Sequence, residues 1–115
     1  MYKYEEAITI LVNHFSEIKI IFELDKDYYE DLPYVFYESV FVKYIVNSAN
    51  SNEQDKLTEA FKFVEDMLIH GDEGVVNLIN VAVIESLFFE NCRADIKIIE
   101  SYFGSVSMKC YRNFF

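Results

Sequence analysis

The sequence has little glycine, proline and cysteine and no tryptophan. Its 115 residues include 3 Gly, 1 Pro and 2 Cys. So few glycines and prolines argue against a loop-rich β fold and favour long helices. The two cysteines, Cys92 and Cys110, are too few for a disulfide scaffold or a cysteine-rich zinc site. We therefore expect both thiols to be reduced, as in the cytoplasm.

Long apolar runs and basic residues are also scarce. No apolar run approaches the about 20 residues that span a bilayer, and the first residues lack the basic start of a signal peptide. Ten Lys and Arg stand against 20 Asp and Glu, which gives a net charge of -10. This charge repels nucleic acid and anionic membranes and attracts basic proteins. Alternatively, the acidity only keeps an aromatic-rich chain in solution.

Apolar and aromatic residues are abundant. Hydrophobic residues make up 52% of the chain and aromatic residues 17%, which excludes disorder of the whole chain. Apolar side chains recur at helical spacing, and no linker divides the sequence. We predict one compact all-α domain, residues 1–115, of about five helices packed as antiparallel hairpins. The predicted helices cover residues 4–22, 33–48, 53–70, 73–90 and 95–104, and the tail adds a short sixth.

Local signals mark several helix ends. Pro33 suits the first turn of a helix, since its missing N–H has no partner there. Ser51 or Asn52 is predicted to cap the third helix, and Asp72 the fourth. Gly71 is a natural left-handed stop between those two helices. Residues 91–94 are predicted to form a turn.

Catalytic and metal-binding signatures are thin. The chain has no nucleotide-binding, metalloprotease or serine-hydrolase motif. His14 and Glu17 share a helical face, but they supply two ligands where a zinc site needs at least three. Nothing in the sequence places His70, the other histidine, near them. We therefore expect neither an enzyme, nor a bound metal, nor a cofactor.

The fourth predicted helix contains three polar residues worth noting. Glu85 lies in an apolar run, so a buried position would require a partner or a raised pKa. We interpret Glu85 as a structural residue. The alternative is that Glu85 is the single acid of an active site. Asn77 and Asn80 are one turn apart. They form either a narrow solvent-exposed stripe or a pair that makes interhelical hydrogen bonds.

The most distinctive segment alternates carboxylates with tyrosines. Tyrosine offers a large contact area and a hydroxyl that tolerates water, and carboxylates attract Lys and Arg. We predict that this segment binds a basic partner, and we call the predicted residues the acidic–aromatic surface. Alternatively, the aromatic rings belong to the core, as we expect for Phe36 and Phe41, and the acids only form the solvent-exposed side of this segment. The surface consists of Glu23, Asp25, Asp27, Tyr28, Tyr29, Glu30, Asp31 and Tyr34.

Four stretches resemble small acidic all-helical immunity-protein-like families associated with bacterial polymorphic and contact-dependent toxins. They are residues 31–37 (DLPYVFY), 60–67 (AFKFVEDM), 71–87 (GDEGVVNLINVAVIESL) and 102–104 (YFG), and the match covers roughly residues 5–105. The resemblance implies a helical protein that neutralises a toxin. It transfers no binding residue to this chain. The run Asp27-Tyr28-Tyr29 is also similar, in its surface chemistry, to the acidic Tyr-Tyr patch with which colicin-type immunity proteins hold a basic nuclease.

Three hypotheses about function follow. The first is a cytoplasmic immunity protein that binds a cognate toxin domain, basic and of nuclease type, without contacting nucleic acid or membrane. The second is a helical adaptor or regulatory subunit, with self-association through exposed aromatic residues left open. The third is a small enzyme built on Glu85 and a histidine, which requires Glu85 to face a pocket with a second polar group.

Overall fold

The computed structural model describes residues 1–89 and 96–114, apart from the side chain of Ile96. These residues form eight helices, where about five were predicted, a 3₁₀ turn at Tyr4–Glu6, and no strand beyond a single bridge between Tyr2 and Gly71. The all-α prediction is thereby confirmed, although the number of helices differs. The radius of gyration is 13.1 Å, close to the about 13 Å expected for this length. The predicted turn at residues 91–94, with Cys92, and the predicted helix start at Asp95 lie outside the described residues. The helices are α1 (Ala7–His14), α2 (Ser16–Leu24), α3 (Lys26–Tyr29), α4 (33–50), α5 (Gln54–His70), α6 (73–89), α7 (Ile96–Glu100) and α8 (Ser105–Arg112).

The first predicted helix is broken in two at Phe15. The backbone of Phe15 is extended, with φ -126° and ψ 107°, and it separates α1 from α2. Its ring is buried, with centroids 5.6 Å from Phe41, 5.5 Å from Tyr44 and 5.5 Å from Phe63. The prediction of one continuous helix was therefore wrong at this point, and the break places the Phe15 ring among these three rings.

Helices α4 and α6 form the centre of the molecule. Each is α-helical at both ends and π-helical in the middle, at Tyr37–Phe41 in α4 and Ile79–Glu85 in α6. The two π-helical segments pack against each other, and α4 also packs against α5. Phe36 and Phe41 are fully buried, as predicted. The Tyr37 hydroxyl is buried as well, and it donates to the Ala7 carbonyl at 2.7 Å, which ties α4 to α1.

The predicted helix ends were right where local chemistry decides them. Pro33 occupies the first turn of α4, and the Asp72 carboxylate caps α6 by accepting from the Val75 N–H at 2.9 Å. The predicted cap of α5 by Ser51 or Asn52 was wrong. Glu53 occupies the cap position and makes no side-chain bond there, and Asn52 instead adopts a left-handed turn with φ 54°.

Gly71 ends α5 for a different reason from the predicted one. Its φ of -81° and ψ of 155° are extended and not left-handed. A Cβ added there would lie 2.4 Å from the Met67 carbonyl oxygen and 2.3 Å from Val75 Cγ1. Glycine is required because two neighbouring groups come too close for any side chain.

A carboxylate of α5 caps the C-terminal helix α8, which also packs against α5. Glu65 accepts from the backbone N–H of Val106 at 3.0 Å, from that of Ser107 at 2.9 Å and from the Ser107 hydroxyl at 2.7 Å. These amides lie in the first turn of α8, where a capping side chain normally bonds. Gly104 occupies the cap position, since a Cβ there would lie 2.4 Å from the Glu65 carboxyl carbon. The cap is therefore supplied by another helix.

Candidate functional site

The acidic part of the acidic–aromatic surface runs from the end of α2 through α3 to the start of α4. All five of its carboxylate residues are exposed. Among the described residues, none of the five makes an ion pair with a lysine, arginine or histidine. Their charges are therefore open to solvent and to a partner. They are Glu23, Asp25, Asp27, Glu30 and Asp31.

The three tyrosines of this surface have different environments. Tyr28 is 55% exposed, with its ring 5.0 Å from that of Tyr29. Tyr29 is half-buried and packs edge-on against the buried Phe36 at 4.9 Å, so it anchors the pair to the core. Tyr34 is half-buried, and its hydroxyl accepts from the Asn77 amide at 2.5 Å, which links α4 to α6. Tyr28 is thus the most exposed of the three rings.

Three apolar side chains beside the acidic segment were missed by the sequence analysis. Ile20, Ile21 and Leu24 are 61%, 42% and 81% exposed. Their spacing of three and four residues places them on one face of α2, next to the start of the acidic segment. The sequence contains the signal for this exposure, because apolar residues occupy more faces of α2 than the core can bury. The buried stripe contains Ile18, and these three residues remain at the surface.

Glu85 faces an open groove between α4 and the second half of α6. The groove has a volume of about 730 Å³, and Glu38, Lys43 and Asn47 also line it. The groove therefore contains the second polar group that the enzymatic hypothesis requires. Neither histidine lines it, so the structure does not bring Glu85 together with a histidine.

The asparagines of α6 have separate roles. Asn77 makes the interhelical bond to Tyr34 described above. The Oδ1 atom of Asn80 is buried and accepts no hydrogen bond from any described residue. The predicted interhelical hydrogen bonding is therefore confirmed for Asn77, whereas Asn80 Oδ1 makes no such bond to a described residue.

The histidines have structural neighbours. The His14 ring lies 4.9 Å from Phe15 and 5.1 Å from Phe63, whereas Glu17 pairs with Lys56 at 3.0 Å. His70 lies 3.7 Å from the Asp66 carboxylate one turn earlier in α5. In the described part of the chain, no three His, Cys, Asp or Glu side chains cluster closely enough to hold a metal ion.

Comparisons with known proteins place the chain in a family but name no activity. Within the described residues, no helix is long and apolar enough to cross a membrane. No curated protein and no solved structure matches the sequence. One family model, that of a domain of unknown function named DUF7674, matches residues 8–115. Because the match covers nearly the whole chain, the protein belongs to the DUF7674 family.

Proposed function

We propose that this protein is a bacterial immunity protein without catalytic activity, which binds a basic toxin domain through the acidic–aromatic surface. The observation that carries the proposal is the environment of Tyr28. Its ring is 55% exposed and lies in a segment of five exposed carboxylates that have no ion-pair partner in the described structure. An exposed tyrosine with unneutralised acids around it is suited to a Lys- or Arg-rich surface.

The apolar residues of α2 strengthen this proposal. Protein interfaces combine a packed apolar or aromatic centre with a polar rim, and the centre supplies most of the affinity. Ile20, at 61% exposure, lies just before the acidic segment, and Leu24, at 81%, lies within it, between Glu23 and Asp25. Together with Tyr28 they offer such a centre, and the carboxylates offer its rim. The acids alone would speed association with the partner but would not give a long-lived complex.

The charges indicate how neutralisation would work. Carboxylates can occupy the positions at which a basic nuclease binds phosphates, so a bound immunity protein would cover the substrate groove. The net charge of -10 would attract the toxin over distance and speed association by a factor of about 10 or more at low salt. Such an inhibitor would act in the cytoplasm, before the toxin reaches its substrate.

The first experiment is a growth rescue. The C-terminal domain encoded by the gene immediately upstream is expressed with and without this protein, and we expect toxicity that the protein relieves. Absence of toxicity, or toxicity without rescue, would contradict immunity and favour a helical adaptor with a different partner.

The second experiment measures association with the purified toxin domain. One variant changes Asp25, Asp27 and Asp31 to Asn and Glu30 to Gln, and it should associate about 10-fold more slowly at low salt. A control variant removes the same amount of charge from exposed acids elsewhere, by changing Glu5, Glu6 and Glu59 to Gln and Asp55 to Asn. Equal losses in the two variants, or a wild-type rate that does not fall as salt rises, would refute the assigned surface.

A third variant tests the apolar centre separately from the charges. We expect Tyr28→Ala to weaken the complex by about 2 kcal/mol, about 30-fold in Kd, chiefly through faster dissociation. The control is Ile69→Ala, since Ile69 is 53% exposed but lies on α5. An unchanged dissociation rate for Tyr28→Ala would remove this tyrosine from the interface.

A further inference from the structure

A second surface lies in the groove between α4 and the second half of α6. Two rows of side chains form its walls, each at helical spacing. The row of α4 contains Glu38, Val42, Val46 and Asn50, and that of α6 contains Val81, Glu85 and Phe89. At the α-helical rise of 1.5 Å per residue, these rows extend for at most about 18 Å and about 12 Å, since their π-helical turns rise less per residue. This length matches two to three turns of an α-helix, about 8–12 residues.

The groove lies over the two π-helical segments. Glu38 belongs to the segment Tyr37–Phe41, and Val81 and Glu85 belong to the segment Ile79–Glu85. The two segments pack against each other beneath the groove. Because π-helical turns inside α-helices are rare and occur frequently at functional sites, their pairing here favours a role in binding over simple helix packing.

The lining indicates the chemistry of the occupant. Phe89 is 68% exposed and Val81 is 41% exposed, and the Glu85 carboxylate lies between them in the row. Glu38 adds a second carboxylate on the opposite wall, and Lys43 is the one basic residue among the described side chains that line the groove. An apolar–acidic–apolar row is complementary to a helix that presents apolar residues on both sides of a Lys or Arg. Two neighbouring rows of side chains also form the kind of channel into which a third helix packs.

We propose that this groove binds a basic amphipathic helix of about 8–12 residues from a partner protein. The apolar face of the helix packs against Val81 and Phe89, and its basic residues pair with Glu85 and Glu38. This inference rests on the groove alone. It does not depend on the acidic–aromatic surface or on the identity of a toxin.

The test uses a synthetic helix of about 16 residues, long enough to be partly helical alone, whose binding face presents a lysine with leucines one turn before it and one turn after it. It is titrated into the isotope-labelled full-length protein, and binding is followed through the backbone amide signals. We expect the largest shifts at residues 38–50 and 81–89. A matched peptide in which glutamate replaces lysine should not bind.

Two variants locate the binding energy. Glu85→Gln should weaken binding about 5-fold, through loss of a partly buried charge pair. Phe89→Ala should weaken it about 10-fold, through loss of an anchoring ring. Because Phe89 is 68% exposed, its replacement should leave the fold intact, and an unchanged melting temperature checks this point. The control variants are Glu59→Gln and Ile69→Ala, both at exposed positions on α5.

Three outcomes would overturn the inference. They are no binding of the lysine peptide, unchanged affinity in both groove variants, and signal shifts confined to residues 20–31. The last outcome would place the peptide on the acidic–aromatic surface, and so it would refute the groove while supporting the chemistry of the proposed function. Conversely, failure of the growth rescue leaves the groove inference intact.

Discussion

Replacement of Glu65 by glutamine should weaken the side-chain cap of helix α8. The Glu65 carboxylate accepts hydrogen bonds from the N–H of Val106 at 3.0 Å and from the N–H and hydroxyl of Ser107 at 2.9 Å and 2.7 Å, and it also interacts with the Ser105 hydroxyl. Glutamine has nearly the same shape, but it offers one acceptor oxygen in place of two and carries no charge. Its NH₂ group would face an N–H donor that it cannot satisfy. The substitution therefore changes the cap while leaving the packing in place.

The expected loss is about 2 kcal/mol in the free energy of unfolding. Hydrogen bonds to charged groups contribute about 1.5–3 kcal/mol, loss of a helix cap costs about 0.5–2 kcal/mol, and the glutamine retains part of both. A carboxylate also interacts favourably with the positive N-terminal end of a helix. For a chain of this length, 2 kcal/mol corresponds to a decrease of about 8 °C in Tm.

The pH dependence gives a sharper test. Burial raises the pKa of Glu65, but the hydrogen bonds from Val106, Ser107 and Ser105 together outweigh burial, so the pKa lies below its ordinary value of 4.5. The stabilisation is therefore complete above the unfolded-state pKa and is lost as the pH falls through the lower folded-state pKa. The wild type should exceed Glu65→Gln in stability at pH 7, and the difference should shrink at about pH 2.5.

Urea unfolding at these two pH values measures the difference and avoids the isoelectric point near 4.5, where the protein associates most readily. The control is Glu59→Gln, an identical substitution at an exposed position of α5 that makes no ion pair or hydrogen bond among the described residues. A difference below about 0.5 kcal/mol at pH 7, or one that persists unchanged at low pH, would refute the capping role of Glu65.

Three further substitutions test the fold. Gly104→Ala should cost about 1–2 kcal/mol in urea unfolding, because its Cβ displaces Glu65, and its effect should be less than additive with Glu65→Gln. Gly71→Ala should cost more, about 2–3 kcal/mol, because the Met67 carbonyl belongs to the backbone and cannot move aside, and a decrease in Tm below about 2 °C would contradict this. Tyr37→Phe should cost about 1 kcal/mol, through loss of the buried bond to the Ala7 carbonyl, and unchanged thermal unfolding would count against it.

The features predicted correctly from sequence depend on neighbours along the chain. Pro33 starts α4 because its missing N–H has no consequence in a first turn. Asp72 caps α6 because its carboxylate reaches an amide three residues later. Apolar spacing likewise identified the buried positions of α4, including Phe36 and Phe41. Each of these interactions spans only one or two turns of helix, so the local sequence contains the information.

The features that were missed depend on distant neighbours. Phe15 breaks the first predicted helix where its ring packs among residues from α4 and α5. Gly71 is required by the approach of Val75 and Met67, which no turn rule describes. Glu65 and the first turn of α8 are about 41 residues apart in sequence. These contacts form only after the helices have packed, and periodicity within one helix gives no information about them.

In the candidate site, too, the features set by the local sequence could be predicted, and those set by helix packing could not. Carboxylates and tyrosines could be counted in the sequence, so the acidic–aromatic surface was predicted before its geometry was known. Which side of α2 is buried could not be predicted, because apolar residues occupy several of its faces, and the exposure of Leu24 depends on where the other helices lie. The groove beside Glu85 was equally hidden, since it exists only between two helices that are far apart in sequence.

The two proposed surfaces border the same outer ridge of α4. Ser39, Lys43 and Asn47 line the groove beside Glu85, and they also line a depression of about 400 Å³ that contains Ile21 and Tyr29. A standard interface covers about 800 Å² per partner, a small part of the 6669 Å² surface, yet enough to cross one helix. A single partner can therefore contact both surfaces at once. In such a complex the open carboxylates would govern the rate of encounter, and Tyr28 and Phe89 would govern the lifetime, because long-range charge acts before contact and packed rings act only after it.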